Sequence, residues 1–217
     1  MKKIALLMLG LACLGAAQTT GNLGMFEGAS EVGAPSHKGS VVYDAARKEY
    51  RVTGGGANMW AGRDDFFFVW RKVTGDVVIT ANLKIVSDGA PHRKAGLVIR
   101  KDLEPGSVYA DAVVHGSGLT GLQWREKPDD VTRTIHFPVE GPTRLRLERR
   151  RNVVTLWAGK EGGPLTELGS TELAPFSPMY AGLGVCAHDD KAEATAGFSD
   201  VTVEVLPPSP APSSKKK

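Results

Sequence analysis

Cysteine is nearly absent: the 217 residues hold two, Cys13 and Cys186. Cys13 lies in an expected leader, so the mature chain keeps only Cys186 and no intramolecular disulfide is available to it. Its stability must come from a packed core even where the compartment is oxidising. Long apolar runs are missing too, the longest being Ile4 to Gly15 against the ~20 residues a membrane helix needs, so a membrane-embedded protein is not expected. Aromatics are few, at 7%, and the net charge of +3 sits largely in the terminal KKK and in Arg144 to Arg151. No basic face interleaved with stacking rings emerges, which speaks against nucleic acid as a partner. The five histidines, His37, His92, His115, His136 and His188, show neither H-x-x-x-H nor H-E-x-x-H spacing, so no metal site is indicated.

What is present begins with a secretory signal. Lys2 and Lys3 precede the apolar run, and small residues, Gly15 and Ala17, stand ahead of Gln18. Cleavage after Ala17 and export to the periplasm or beyond are expected, with 1–17 as signal peptide. A rival reading makes Cys13 a lipidated N-terminus, although Gly10 occupies the place where such a signal carries Leu. At the other end PPSPAPSSKKK, residues 207–217, has nothing large and apolar to repay the entropy of ordering and reads as a disordered tail. Between a lead-in at 18–31 and this tail, residues 32–206 read as one domain without repeats or linkers.

Within it, alternation with period two dominates. In VVITANLKI, Val77, Ile79, Ala81, Leu83 and Ile85 share one face; in RLRLE, Leu145 and Leu147 oppose Arg144, Arg146 and Glu148. Further strands are expected over Glu49–Thr53, Phe66–Arg71, Ala95–Arg100, Tyr109–His115, Leu119–Arg125, Thr132–Phe137, Val153–Ala158, Met179–His188 and the Val201, Val203, Val205 end. Turns such as Thr74-Gly75-Asp76 and Gly162-Gly163-Pro164 separate them, and no amphipathic helix appears. The fold class expected is all-β, a two-sheet antiparallel sandwich.

Several strings together carry a resemblance: GSVVYD ending at Asp44, GGGANMW at Trp60, DDFFFVWRKVTGD at Asp76, HRKAGLVIR at Arg100, YADAVVHG at Gly116, GLQWR at Arg125, RLRLERR at Arg150, YAGLGVCAH at His188 and FSDVTV at Val203. In this order they resemble a bacterial branch of the concanavalin A-like lectin/glucanase superfamily, over nearly all of Val32 to Val203. Members of that branch occur as secreted stand-alone proteins, beside glycoside hydrolases and fused to TolB-like propellers. The resemblance implies a jelly roll that takes ligands on the concave face of one sheet.

The strands Lys94–Arg100, Tyr109–His115 and Leu119–Arg125 read as a meander whose outward side carries Lys94, Arg100, Tyr109, Asp111, His115, Gln123 and Arg125, with Gly96 and Gly121 leaving a shallow gap. Turn lengths set Arg100 opposite Tyr109 and Lys94 opposite His115, and Asp111 opposite Arg125. Planar donors and acceptors, a ring and small residues are what a saccharide face requires, so Arg125 is the expected polar anchor, oriented by Asp111, with Gln123 and His115 at its sides. Trp60, in a loop after Gly54 to Gly56, is a second ring candidate, whereas Trp70 in FFFVW reads as core.

A secreted carbohydrate-binding module is therefore the leading expectation, with a glycan or small saccharide as partner and no cofactor. The alternative is a saccharide-active enzyme built on Asp111, His115 and Arg125. No E-x-D-x-x-E string supplies the paired carboxylates that retaining glycosidases need about 5–5.5 Å apart. A structural or protein-docking domain is the third reading. A structural calcium on Asp44 and Asp200 is entertained without a dedicated loop to support it.

Overall fold

The computed structural model describes residues 21–139, 141 and 143–207; the signal sequence, Cys13 and residues 208–217 lie outside the described residues. No α-helix occurs among them. In chain order the strands are β1 (Gly28–Val32), β2 (Ser40–Asp44), β3 (Glu49–Gly54), β4 (Met59–Trp60), β5 (Arg63–Asp64), β6 (Phe66–Val73), β7 (Val77–Ile85) and β8 (Lys94–Arg100). They continue as β9 (Tyr109–His115), β10 (Thr120–Arg125), β11 (Arg133–Phe137), β12 (Arg144–Arg150), β13 (Val153–Gly159), β14 (Thr166–Glu172), β15 (Met179–Cys186) and β16 (Ala194–Val205). Two seven-stranded antiparallel sheets result, β1-β6-β15-β8-β9-β10-β11 and β14-β13-β12-β7-β16-β3-β2, and β4 pairs with β5 in a small hairpin.

The alternation read from the sequence fills the space between the sheets. Ile79, Ala81 and Leu83 of β7, Leu145 and Leu147 of β12, and Leu97, Ile99, Ala110, Ala112 and Leu122 of the meander all belong to one buried cluster. Burial of such aliphatic side chains contributes about 1.5–3 kcal/mol each, which is how a domain with one free, buried cysteine dispenses with a bridge. Strand β1 starts at Gly28, ahead of the expected domain start at 32, because Phe26 and Ala29 already enter this core.

Strand β6 is apolar on both sides for a physical reason. Phe67, Val69 and Val73 face the main core, while Phe66 and Phe68 join a second, smaller cluster with Val32, Met59, Val98 and Cys186 on the outward side of the same sheet. Trp70 is half-buried at its edge, its indole N–H donating to Ser30 Oγ at 3.2 Å. The β4–β5 hairpin therefore lies over the outward face. At Gly56 the chain enters it with φ +104°, and a Cβ there would meet the Asp65 carbonyl at 2.0 Å, so glycine is required by both backbone conformation and space.

Candidate functional site

The β8–β9 register matches the turn-based expectation, with Arg100 against Tyr109, Val98 against Asp111 and Lys94 against His115. The β9–β10 register does not. Gln123 lies opposite Asp111, and Arg125 opposite Tyr109, a displacement by two residues. The cause is a tighter turn: His115 N–H donates to the Leu119 carbonyl at 2.8 Å, and Gly118, at φ +89°, lets the chain reverse early. A two-residue slip keeps every side chain on its own face, so the outward set is unchanged while its neighbours differ.

The expectation of a solvent-facing surface also fails. Three loops, 55–65, 101–108 and 126–132, knit over one end of the meander through backbone bonds from Asp64 N to Pro105 O, Asp129 N to Gly106 O and Thr132 N to Ala61 O. Beneath them Arg100, Tyr109 and Arg125 are all fully buried, as is Asp111 farther along the strand toward the other end. Arg125 is anchored by Asp64 rather than Asp111: its guanidinium donates to Asp64 Oδ1 at 2.7 Å and Oδ2 at 2.9 Å. It also donates to the carbonyls of Ala61, Pro105, Ser107 and Asp130 and to Thr132 Oγ1. Arg100 shares Asp64 Oδ2 at 3.2 Å and donates to the Asp102 and Glu104 carbonyls. The Tyr109 ring lies under both guanidiniums, 4.9 Å from Arg125 and 5.9 Å from Arg100.

Burial pushes Arg100 below the ordinary arginine value, against the pull of Asp64. For Arg125 burial acts the same way, but the hydrogen bonds and charge of Asp64 prevail and hold it above that value. Arg100, Tyr109 and Arg125 are thus internal structure, corrected from ligand contacts. Asp64 escaped the sequence reading; the signal available was an Asp64-Asp65 doublet heading a strand apolar on both faces, beside two outward arginines that require a counter-charge.

The other end of the same face stays open as a pocket of about 210 Å³. Trp60 and Asn58 of the hairpin region form one wall, and Lys94 and Gln123 of the sheet form its floor. Four histidines complete it: His92, His115, His136 and His188. His92 Nδ1 and His115 Nδ1 are 3.2 Å apart, the His136 ring meets that of His115 edge-on with centroids 6.2 Å apart, and the His188 ring lies tilted to that of His92 at 5.4 Å. His136 comes over the sheet because Gly121 has no side chain to block it; a Cβ there would sit 3.3 Å from its ring, so the expected gap at Gly121 is filled. His136 was missed as a site member because its strand shows little alternation, and His92 and His188 because only the fold unites them.

The polar groups here are poorly satisfied. His115 Nε2 and Gln123 Oε1 are buried and without hydrogen-bond partners, and neither oxygen of Asp111, one layer deeper, makes a full hydrogen bond. The backbone N–H of Gln123 gives Asp111 only weak support. Burial holds the Asp111 carboxyl well above the usual carboxylate range, Lys94 counteracting in part. It pushes His115 down to about 3, helped by Lys94 and by His92, His136 and His188. Lys94, whose Nζ donates to Asn58 Oδ1 at 2.6 Å, is lowered by burial as well. Cys186 nearby is inert, its thiol raised to about 11 by burial.

Among the described residues no group of three or more His, Cys, Asp or Glu side chains has the geometry to hold a metal ion. Of the two calcium candidates, Asp44 Oδ1 accepts from the Ala46 and Arg47 backbone, and Asp200 Oδ2 from Asn82. No helix of the described residues is long and apolar enough to cross a membrane.

No family model and no curated relative matches the sequence. Solved structures do match. A functionally unknown protein of Saccharomyces cerevisiae superposes with TM-score 0.63 at 14% identity, over 82% of this chain and 96% of that one. The carbohydrate binding module CBM66 from Bacillus subtilis gives TM-score 0.54 at 17% identity, over 83% and 97%. The GH43 protein BlXynB from Bacillus licheniformis gives 0.54 at 14%, over 73% of this chain but 33% of that one. With its two seven-stranded sheets and these neighbours, the chain has the concanavalin A-like jelly-roll fold.

Proposed function

We propose that this protein is an exported saccharide-binding module whose ligand enters the pocket between Trp60, Lys94, His115 and Gln123. The observation that carries this reading is the pairing of an accessible indole with buried polar groups that lack partners, His115 Nε2 and Gln123 Oε1. A buried polar group without a partner costs about 1–3 kcal/mol, a cost that a sugar hydroxyl arriving at each atom removes. The indole offers the flat apolar surface against which a sugar ring packs. The similarity to CBM66 agrees with this reading at the level of fold.

One observation favours a second reading, saccharide cleavage: Asp111 is a fully buried carboxyl whose hold on its proton burial raises well above the usual, the direction a general acid needs. The pocket lining, however, contains no carboxylate to act as its partner. A glycan array on the mature chain, followed by reducing-sugar assay of each hit, separates the readings. Binding without release is expected, with Trp60→Ala and Gln123→Ala abolishing it in folded protein; release of reducing ends establishes the enzyme, and silence on both tests removes the saccharide reading. Export is tested by mass spectrometry of the native N-terminus, expected at Gln18; a diacylglyceryl mass on Cys13 identifies a lipoprotein, and retained Met1 on a cytoplasmic species contradicts export.

A further inference from the structure

We propose that the saccharide taken by this pocket is acidic, a uronic acid residue whose carboxylate is received by Lys94 while its ring lies on Trp60. The inference rests on the saccharide-binding reading and concerns the charge of the ligand. The lining is basic in every titratable position: one lysine and four histidines, with no carboxylate. Asn58 takes one of the three ammonium donors of Lys94, at 2.6 Å. The nearby acid of the same sheet face, Asp111, sits opposite Gln123 and Val98 and makes neither an ion pair nor a hydrogen bond with Lys94, and burial raises its hold on its proton.

Among the described residues Lys94 is thus a buried cation with no carboxylate in ion-pair contact, its ammonium held by the neutral Asn58 amide. Breaking or leaving such a charge unpaired is costly, and a ligand that supplies the missing anion recovers the loss. A neutral sugar satisfies His115 Nε2 and Gln123 Oε1 equally well but leaves Lys94 as it was. A metal cation would add like charge beside the ammonium. The volume of about 210 Å³ lies below the range of pockets for drug-sized ligands, about 300–1,000 Å³, and suits one sugar unit or a chain end.

The test is calorimetric titration of the full mature protein with the methyl glycosides of glucuronic acid, galacturonic acid, glucose and galactose. At least one uronide is expected to bind about tenfold or more tighter than its neutral counterpart, the worth of a charge-assisted hydrogen bond. Because Lys94 is buried, that margin should largely persist as salt is raised. Lys94→Met should erase the margin and Lys94→Arg preserve much of it; should Lys94→Met fail to fold, the acidic-to-neutral margin of the unaltered protein decides alone. Equal affinity for acidic and neutral glycosides, or tighter neutral binding, overturns the acidic assignment and leaves saccharide binding standing. No affinity for any of the four, by protein with an intact β-sheet circular dichroism spectrum and blank on the glycan array, overturns both.

Discussion

The two ends of one sheet face treat buried polar groups in opposite ways. At the covered end two arginines converge on Asp64 over the ring of Tyr109, and Arg125 alone reaches one carboxylate, four carbonyls and a hydroxyl. At the open end Lys94, Asp111, His115 and Gln123 are just as deeply withdrawn from water, yet His115 Nε2, Gln123 Oε1 and the Asp111 oxygens lack full partners. Side-chain chemistry does not separate these ends, since both are rich in charge and in planar donors. Satisfaction does: a saturated network holds loops in place, whereas an unsaturated one retains capacity for a ligand.

The sharpest way to break this comparison is to remove the anion from the covered end. Asp64→Ala leaves two fully buried guanidiniums facing each other without counter-charge. A loss of about 3–5 kcal/mol in denaturant unfolding is expected, the largest of any single change discussed. Arg125→Ala should cost less, because Asp64 keeps Arg100, but it too should weaken the fold rather than act on ligand alone. If Asp64→Ala unfolded at an unchanged denaturant midpoint, the covered end would not be the internal brace described.

At the open end the sign should reverse. Gln123→Leu removes a buried acceptor that has no donor and puts an apolar side chain in its place, so the ligand-free protein should gain about 1 kcal/mol while losing saccharide affinity. Asp111→Asn, which removes the carboxyl without changing its shape, should also raise stability near neutral pH. Its folded-state proton affinity lies above the unfolded value, so the unfolded chain binds fewer protons and the native carboxyl becomes a growing liability as pH rises above the ordinary carboxylate range. Thermal melts of both variants check this, and a fall in melting temperature for each would show these groups to be structurally paired after all.

A pH series sharpens the contrast further. His115 titrates near 3 in the folded chain against 6.5 ordinarily. Between those values the unfolded chain binds more protons, so the stability contributed by neutral His115 is complete above about pH 6.5 and is lost as pH falls toward 3. The groups facing it are Lys94 from β8, His92 and His188 from loops, and His136 from β11, all basic. Allowing for screening at the pocket mouth, His115→Gln should recover about 1 kcal/mol of the stability lost between pH 7 and 5. Equal acid sensitivity in both proteins would remove His115 from the account.

Much of the fold was legible because alternation and turns are local. The strands from Glu49, Tyr109 and Val153 start where the sequence puts them, and the β8–β9 register follows from its turn. Strand β14, TELGSTE, was not legible: it is an edge strand with little burial and no alternation to betray it. The site was legible in its residue types and not in its exposure. Lys94, His115, Gln123 and Trp60 do meet in one pocket, but nothing local announces that loops 55–65, 101–108 and 126–132 close over Arg100 and Arg125. Covering a sheet face is a long-range event, and outward alternation gives the direction of a side chain without telling what lies beyond it.

The smallest expected effect lies one residue from the largest. Arg63 precedes Asp64 on the same hairpin and forms an ion pair with Asp129 at 3.7 Å, its side chain 70% exposed and that of Asp129 71% exposed. This pair also joins two of the covering loops, so a simple count of salt bridges ranks it with Arg125–Asp64. Solvent makes the difference: an exposed pair gains little Coulomb energy, must hold two mobile side chains, and is screened by salt, for a net of about 0–1 kcal/mol. Arg63→Ala should therefore shift stability by no more than about 0.5 kcal/mol, and a double cycle with Asp129→Ala should return a coupling that vanishes at high salt. Asp64→Ala should keep its full cost in the same buffer, because the buried charges see no counter-ions. A salt-insensitive coupling of 2 kcal/mol or so between Arg63 and Asp129 would mean that the covering loops are held from outside, and the contrast between the two ends of the face would have to be rebuilt on loop packing instead of buried charge.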